Sequence, residues 1–129
     1  MRTRTFNKAL AGFLTIALLA PAGLWLSVKL KLSAETSVYH RVWSESGACH
    51  IDAYIPNYAS LGIPGRLIEL FSSSAFFRVY RDDGKLLKSS EWLVWQREFA
   101  EDESAKWIHG HALYPATNGY EGWTLPECN

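Results

Sequence analysis

Cysteine is scarce in this chain: only Cys49 and Cys128 occur in 129 residues. With no C-x-x-C pair and no third thiol, the sequence argues against a structural zinc site or a thioredoxin-like redox motif. A single Cys49–Cys128 disulfide is the natural reading, with two buried free thiols as the alternative. The disulfide would close a loop of about 80 residues and, in the chain-entropy model, stabilise the fold by up to about 4.5 kcal/mol. Acidic residues are absent from the first 34 positions. All 13 lie from Glu35 onward, against eight basic residues there, so that segment carries −5 although the whole chain is neutral. Such a balance argues against nucleic acid as a partner. Also missing are H-E-x-x-H, a Gly-x-Ser-x-Gly elbow, a P-loop, the dinucleotide-binding glycine pattern and any internal repeat. These absences remove the best-marked hydrolases and nucleotide enzymes and leave no cofactor to expect.

What is present at the N-terminus is an uncharged apolar run from Ala9 to Val28. Its 20 residues are long enough, at about 1.5 Å each, to cross a hydrocarbon core of roughly 30 Å as a helix. Pro21 and Gly23 would kink that helix without forbidding it. Arg2, Arg4, Lys8 and the terminal amine outweigh Lys29 and Lys31, which favours a cytoplasmic N-terminus and an exported C-terminal domain. A cleaved secretory signal is the competing reading, with Ala20-Pro21-Ala22 or Leu32-Ser33-Ala34 as the cleavage site. The organisation expected is therefore a cytoplasmic N-terminus over 1–8, an anchor over 9–28, a tether over 29–37 and a periplasmic domain over 38–129. The anchor places the chain in the inner membrane as a single-pass protein. Because Val28, Leu30 and Leu32 alternate with polar residues, the end of the anchor could also begin a strand.

Beyond the tether the pattern predicts an α+β, β-rich domain: a small antiparallel sheet with one short helix. Val38–Trp43 and Cys49–Ile55 read as strands around a turn at Ser44–Gly47. Asn57–Gly65 reads as a loop, and Arg66–Phe71 as a short helix with Leu67, Ile68 and Phe71 on one side. Ala75–Arg81 and Lys85–Ser90 flank an Asp83-Gly84 pair, which accepts the positive φ angles of a tight hairpin. Glu91–Phe99 is expected to add a strand, and Lys106–Tyr114 another that Pro115 closes. A C-terminal loop through Asn118, Gly119 and Gly122 would return Cys128 to the second strand. Ser72–Ser74 reads as a flexible connector.

Fifteen aromatic residues fall between 35 and 129, more than a domain of this size can bury completely. Large rings filling a thin core account for most of them. A recognition surface of Trp92, Trp95, Trp107, Tyr114, Tyr120 and Trp123 is the sharper reading, because Trp and Tyr supply binding energy at low entropy cost. The carboxylates Glu101, Asp102 and Glu103 would steer a basic partner toward it. His109 and His111 stand two residues apart, as do His50 and Asp52, spacings that could chelate a metal if they converged. Solvent-facing or hydrogen-bonded histidines are the simpler reading. Asp52, Glu69 and Glu91 are dispersed carboxylates that could act as an acid pair only if the fold brought them together.

At Phe76-Phe-Arg-Val-Tyr80, Asp83-Gly84, Ser89-Ser-Glu-Trp92, Trp95-Gln-Arg-Glu-Phe99 and Gly119-Tyr-Glu-Gly-Trp123 the chain resembles a family of short single-pass envelope proteins of Gram-negative enteric bacteria. Members resemble small proteins encoded beside type VI secretion effectors. The resemblance implies an immunity role, in which the domain blocks a toxin delivered into the envelope, with a protein partner and no catalytic residues of its own. Two alternatives stand beside it: an envelope scaffold or accessory subunit that binds membrane proteins through its anchor, and a small metal-dependent hydrolase built on His109 and His111.

Overall fold

The computed structural model describes residues 2–93, 97–101 and 103–129. Helix α1 (Arg2–Glu35) is one unbroken element with Pro21 inside it. It is long and apolar enough to cross a membrane. The alternation seen from Ser27 to Ser33 therefore does not start a strand. Its period-2 pattern yields to helix propagation, and Val28, Lys29 and Leu32 become one buried face of the helix. The tether shrinks accordingly to Thr36 and Ser37.

A four-stranded antiparallel sheet follows, in the order β1 (Val38–Trp43), β2 (Cys49–Tyr54), β3 (Phe76–Arg81), β4 (Leu86–Ser89). Between β2 and β3 lie a 3-10 turn, Tyr58–Leu61, and helix α2 (Gly62–Glu69). The helix starts four residues before the expected one, and Gly65 lies inside it because any larger residue would collide with the Tyr58 carbonyl. Leu67 and Phe71, expected on its buried side with Ile68, are instead exposed. At the tip of the β3–β4 hairpin Gly84 has φ 90°, as the Asp-Gly pair predicts.

The second sheet is β5 (Lys106–Ile108), β6 (His111–Ala116) and β7 (Gly119–Thr124), all antiparallel. Here the expected single strand Lys106–Tyr114 is cut by a turn at His109 and Gly110, both at positive φ. Pro115 does not close the strand but lies buried within β6. The expected C-terminal loop is largely strand β7. Glu91–Phe99 forms no strand among its described residues: Glu91 and Trp92 are in a turn, and Glu98 makes isolated bridges to Ala75 and Ala116. Charge explains this, since Arg97 and buried Glu98 break the alternation a half-buried strand needs. Ser72–Ser74 is no loose connector, because the Ser73 and Ser74 hydroxyls both donate to the Glu98 carbonyl and the Glu98 amide donates to Ser73 Oγ at 2.7 Å.

The two sheets pack face to face. Cys49, Ile51, Ala53, Phe77 and Val79 of the first meet Trp107, Ala112, Tyr114 and Ala116 of the second. Phe77 stacks on Tyr114 at 5.0 Å, and Tyr114 lies against Trp123 at 4.9 Å. Each large apolar side chain buried here contributes roughly 1.5–3 kcal/mol. The Trp107 indole donates to the Val42 carbonyl at 2.9 Å, tying β5 to β1. Cys49 and Cys128 form the disulfide, which fastens the C-terminal 3-10 turn (Pro126–Cys128) onto β2. A second, smaller cluster joins Val28 and Leu32 of α1 to Tyr58 and Ile68, with Trp25 and Leu61 at its margin. The last turns of α1 are thus part of the domain.

Candidate functional site

The outer face of the first sheet carries the best-ordered polar cluster. Strand alternation puts Arg41 opposite Asp52, and Trp43 opposite His50. Asp52 is 1% exposed, yet it accepts from Arg41 Nε at 2.7 Å and Arg41 Nη2 at 2.9 Å, and its Oδ1 lies 2.8 Å from His50 Nδ1. A buried carboxylate is tolerable because three polar contacts, one pair of them from a guanidinium, meet its two oxygens. The bond to Asp52 raises the Arg41 guanidinium above its ordinary value, so it is charged at any physiological pH. His50 lies between Trp43, 4.7 Å away edge-on, and Tyr80, stacked at 5.6 Å. Above this floor Arg41 and Trp43 project from alternate positions of β1, while Tyr39 lies at a bulge between Val38 and His40. Tyr39 is 57% and Trp43 50% exposed.

Further along the same face, Arg78 lies over the rings of Tyr54 and Phe76 and bonds Glu91 Oε2 at 2.8 Å. It also donates to Ser33 Oγ at 2.8 Å, latching the end of α1 to the sheet. Burial, aided by the neighbouring Tyr80, pushes the Tyr54 hydroxyl up to about 12. Burial does the same to Tyr58, also to about 12. An unfolded tyrosine ionises near 10, so folding favours the neutral form. The stability this gives is whole below about pH 10 and drains away as pH rises toward about 12. An ultraviolet tyrosinate titration should therefore show two late-ionising tyrosines, and the melting temperature should fall across that window.

A cleft of about 450 Å³ opens where α1 meets the sheets, lined among others by Trp25, Lys29, Ser72, Glu91 and Arg97. Lys29 is buried, with its ammonium 5.9 Å above the Trp92 ring. Among the described residues Glu91 Oε1 has no hydrogen-bond partner. A smaller cleft of about 270 Å³ places Glu101 and Glu103 beside Tyr39 and His40.

The aromatic residues expected on one surface are dispersed. Trp107 and Tyr114 are core residues, at 9% and 2% exposure, and cannot meet a partner directly. Trp123 is half-buried against Tyr114. Trp92 is exposed but turned toward Trp25 of α1, with ring centroids 6.2 Å apart. Tyr120 is exposed beside Lys106. Trp95 and Asp102 lie outside the described residues. His109 and His111 are not on one strand face: His109 is in the turn and His111 bonds Thr124 Oγ1 at 3.0 Å. His50 and Asp52 belong to the other sheet, and no group of three or more His, Cys, Asp or Glu side chains among the described residues could hold a metal. Arg41 and Trp43 have no role in the sequence reading, although their i, i+2 spacing within a predicted strand was the available signal; the bulge at Tyr39 leaves no such signal.

Comparison with known protein families, with curated proteins and with solved structures finds no match.

Proposed function

We propose that the chain is a membrane-anchored, non-enzymatic protein-binding domain whose contact surface is the Arg41 and Trp43 face of β1, with exposed Tyr39 at its bulged end. The observation that carries this is the pre-ordering of Arg41 and Trp43. Arg41 is pinned by two bonds to Asp52 and Trp43 is braced by His50. Tyr, Arg and Trp are the residue types that dominate binding hot spots, and side chains already held in place lose little entropy on association. Glu101 and Glu103, beside Tyr39, add a negative margin suited to a basic partner. Retention of α1 as an anchor is supported by its docked face, since cleavage after Ala34 would remove Val28, Leu32 and Ser33 from their partners. The periplasm is the compartment that the charge bias around the anchor favours. A toxin blocked there is the partner that the family resemblance implies.

Cross-linking in intact cells, followed by purification of the tagged full chain and mass spectrometry, is the test. One soluble basic protein at near-equal stoichiometry is the expected recovery. Trp43→Ala should then weaken its binding about 30-fold, the equivalent of about 2 kcal/mol. Because Tyr39 and Trp43 are half exposed, neither alanine should unfold the domain. Undiminished binding by the Tyr39→Ala, Trp43→Ala double variant would refute the surface.

A further inference from the structure

Helix α2 is apolar on two opposite sides. Gly65 and Ile68 face inward, where Ile68 joins Val28 and Leu32 of α1. On the other side stand Ile63 and Leu67, and the turn that follows the helix adds Leu70 and Phe71; the four are exposed by 78, 49, 65 and 78%. Ile63 and Leu67, spaced i, i+4, share one side of the helix, and Leu70, which keeps helical dihedrals, and Phe71 prolong that apolar surface into the turn. A surface helix ordinarily turns its one apolar stripe to the core, so a second stripe of this size calls for a cover.

Position says what the cover is. Helix α2 is held against α1 at Val28 and Leu32, where the uncharged run of residues 9–28 ends. That run matches a hydrocarbon thickness of about 30 Å, so its end marks the boundary of the bilayer core. Apolar surface continues there, since Leu24, Leu26 and Leu30 of α1 are exposed. Basic groups frame the stripe: Lys31 and Arg66 are exposed, and Arg97 donates to the Leu70 carbonyl at 3.0 Å. Glu69, the one carboxylate of α2, lies off the stripe on its polar flank. Apolar and aromatic side chains on one face with cations beside them are the composition of a helix that lies in a membrane interface.

We propose that α2 is seated in the headgroup layer of the bilayer that α1 crosses, with Ile63, Leu67, Leu70 and Phe71 inserted toward the acyl chains. The domain then has two membrane contacts instead of one. This rests on α1 spanning the membrane, and the test separates the two claims. Leu18→Cys, Leu67→Cys, Phe71→Cys and Lys88→Cys would each be placed singly in the full chain and labelled with bimane, the Cys49–Cys128 disulfide intact. The labelled proteins would be reconstituted in vesicles of phosphatidylethanolamine and phosphatidylglycerol containing doxyl-labelled lipids. Loss of emission at 67 and 71 with shallow doxyl groups, loss at 18 with deep ones and none at 88 is the expected pattern. Loss at 18 with full emission and free water quenching at 67 and 71 would overturn the seating of α2 while leaving the anchor. Protection of 67 and 71 from both lipid and water quenchers would assign the stripe to a protein contact and also overturn it. No loss at 18 would remove the anchor and the seating together.

Discussion

Reduction of the Cys49–Cys128 bridge is expected to destabilise the folded domain by about 4.5 kcal/mol, because the bond closes a loop spanning a sequence separation of 79. The domain is small, and total stabilities lie at about 5–15 kcal/mol, so this is a large share of what holds it folded. The bridge also holds a local structure in place. Leu125, 4% exposed, sits in the main core, and the Ser46 hydroxyl donates to the Cys128 carbonyl at 2.9 Å. Without the bond the last residues are held by Leu125, its amide bond to the Gly110 carbonyl and the Ser46 contact. Thermal melting of the detergent-solubilised full chain with and without reductant should show a drop of about 20 °C or more. The Cys49→Ala, Cys128→Ala double variant should reproduce it. An unchanged midpoint in both would mean that the sandwich stands on its packing alone.

Loss of Arg78 should have the next largest effect. Its guanidinium is 14% exposed and its partner Glu91 5%, so Arg78→Ala leaves a buried carboxylate without its charge partner. Removing one half of such a pair costs about 3–5 kcal/mol, whereas replacing both halves by apolar residues is often nearly neutral. Denaturant melts should therefore rank Arg78→Ala well below both the wild type and an Arg78→Met, Glu91→Leu double variant. Arg78 is also the latch on Ser33, so either change should loosen the end of α1. Faster proteolysis between Ser33 and Val38 would report that loosening separately from global unfolding. Equal stability of the single and double variants would show that the charge pair is not what matters at this site.

Local rules carried most of the fold. The two strands around Ser44–Gly47, the Asp83-Gly84 hairpin and the long N-terminal helix follow from alternation, turn chemistry and an uncharged run. Where reading failed, a tertiary contact decided. Pro115 can sit inside β6 because its neighbours across the sheet leave it buried rather than needing its missing donor. The start of α2 was hidden because Gly62, Pro64 and Gly65 look like loop formers, yet Gly65 is required for the close approach of the Tyr58 carbonyl. The site was half legible. His50 and Asp52 were singled out as neighbours on one strand and do touch, but Arg41, the group that makes buried Asp52 tolerable, comes from the adjacent strand. Cross-strand register is not written in spacing along one strand. The same reason explains why Trp107 and Tyr114 went to the core while Tyr39 and Trp43 stayed outside: the second sheet covers only one face of the first.

Only Thr36 and Ser37 separate the end of α1 from β1, and the helix itself is latched to the sheet. The domain consequently has no leash. With α1 across a bilayer, as proposed, the height of the domain above the hydrocarbon core would be set by the few helical residues beyond Val28, about 10 Å of rise, and could not be extended by uncoiling a linker. On the proposed reading, a soluble partner must come down to that height to meet Arg41 and Trp43, which α1 holds in a thin layer beside the bilayer. Much of the orientational freedom that association would otherwise consume has already been given up in building the mast.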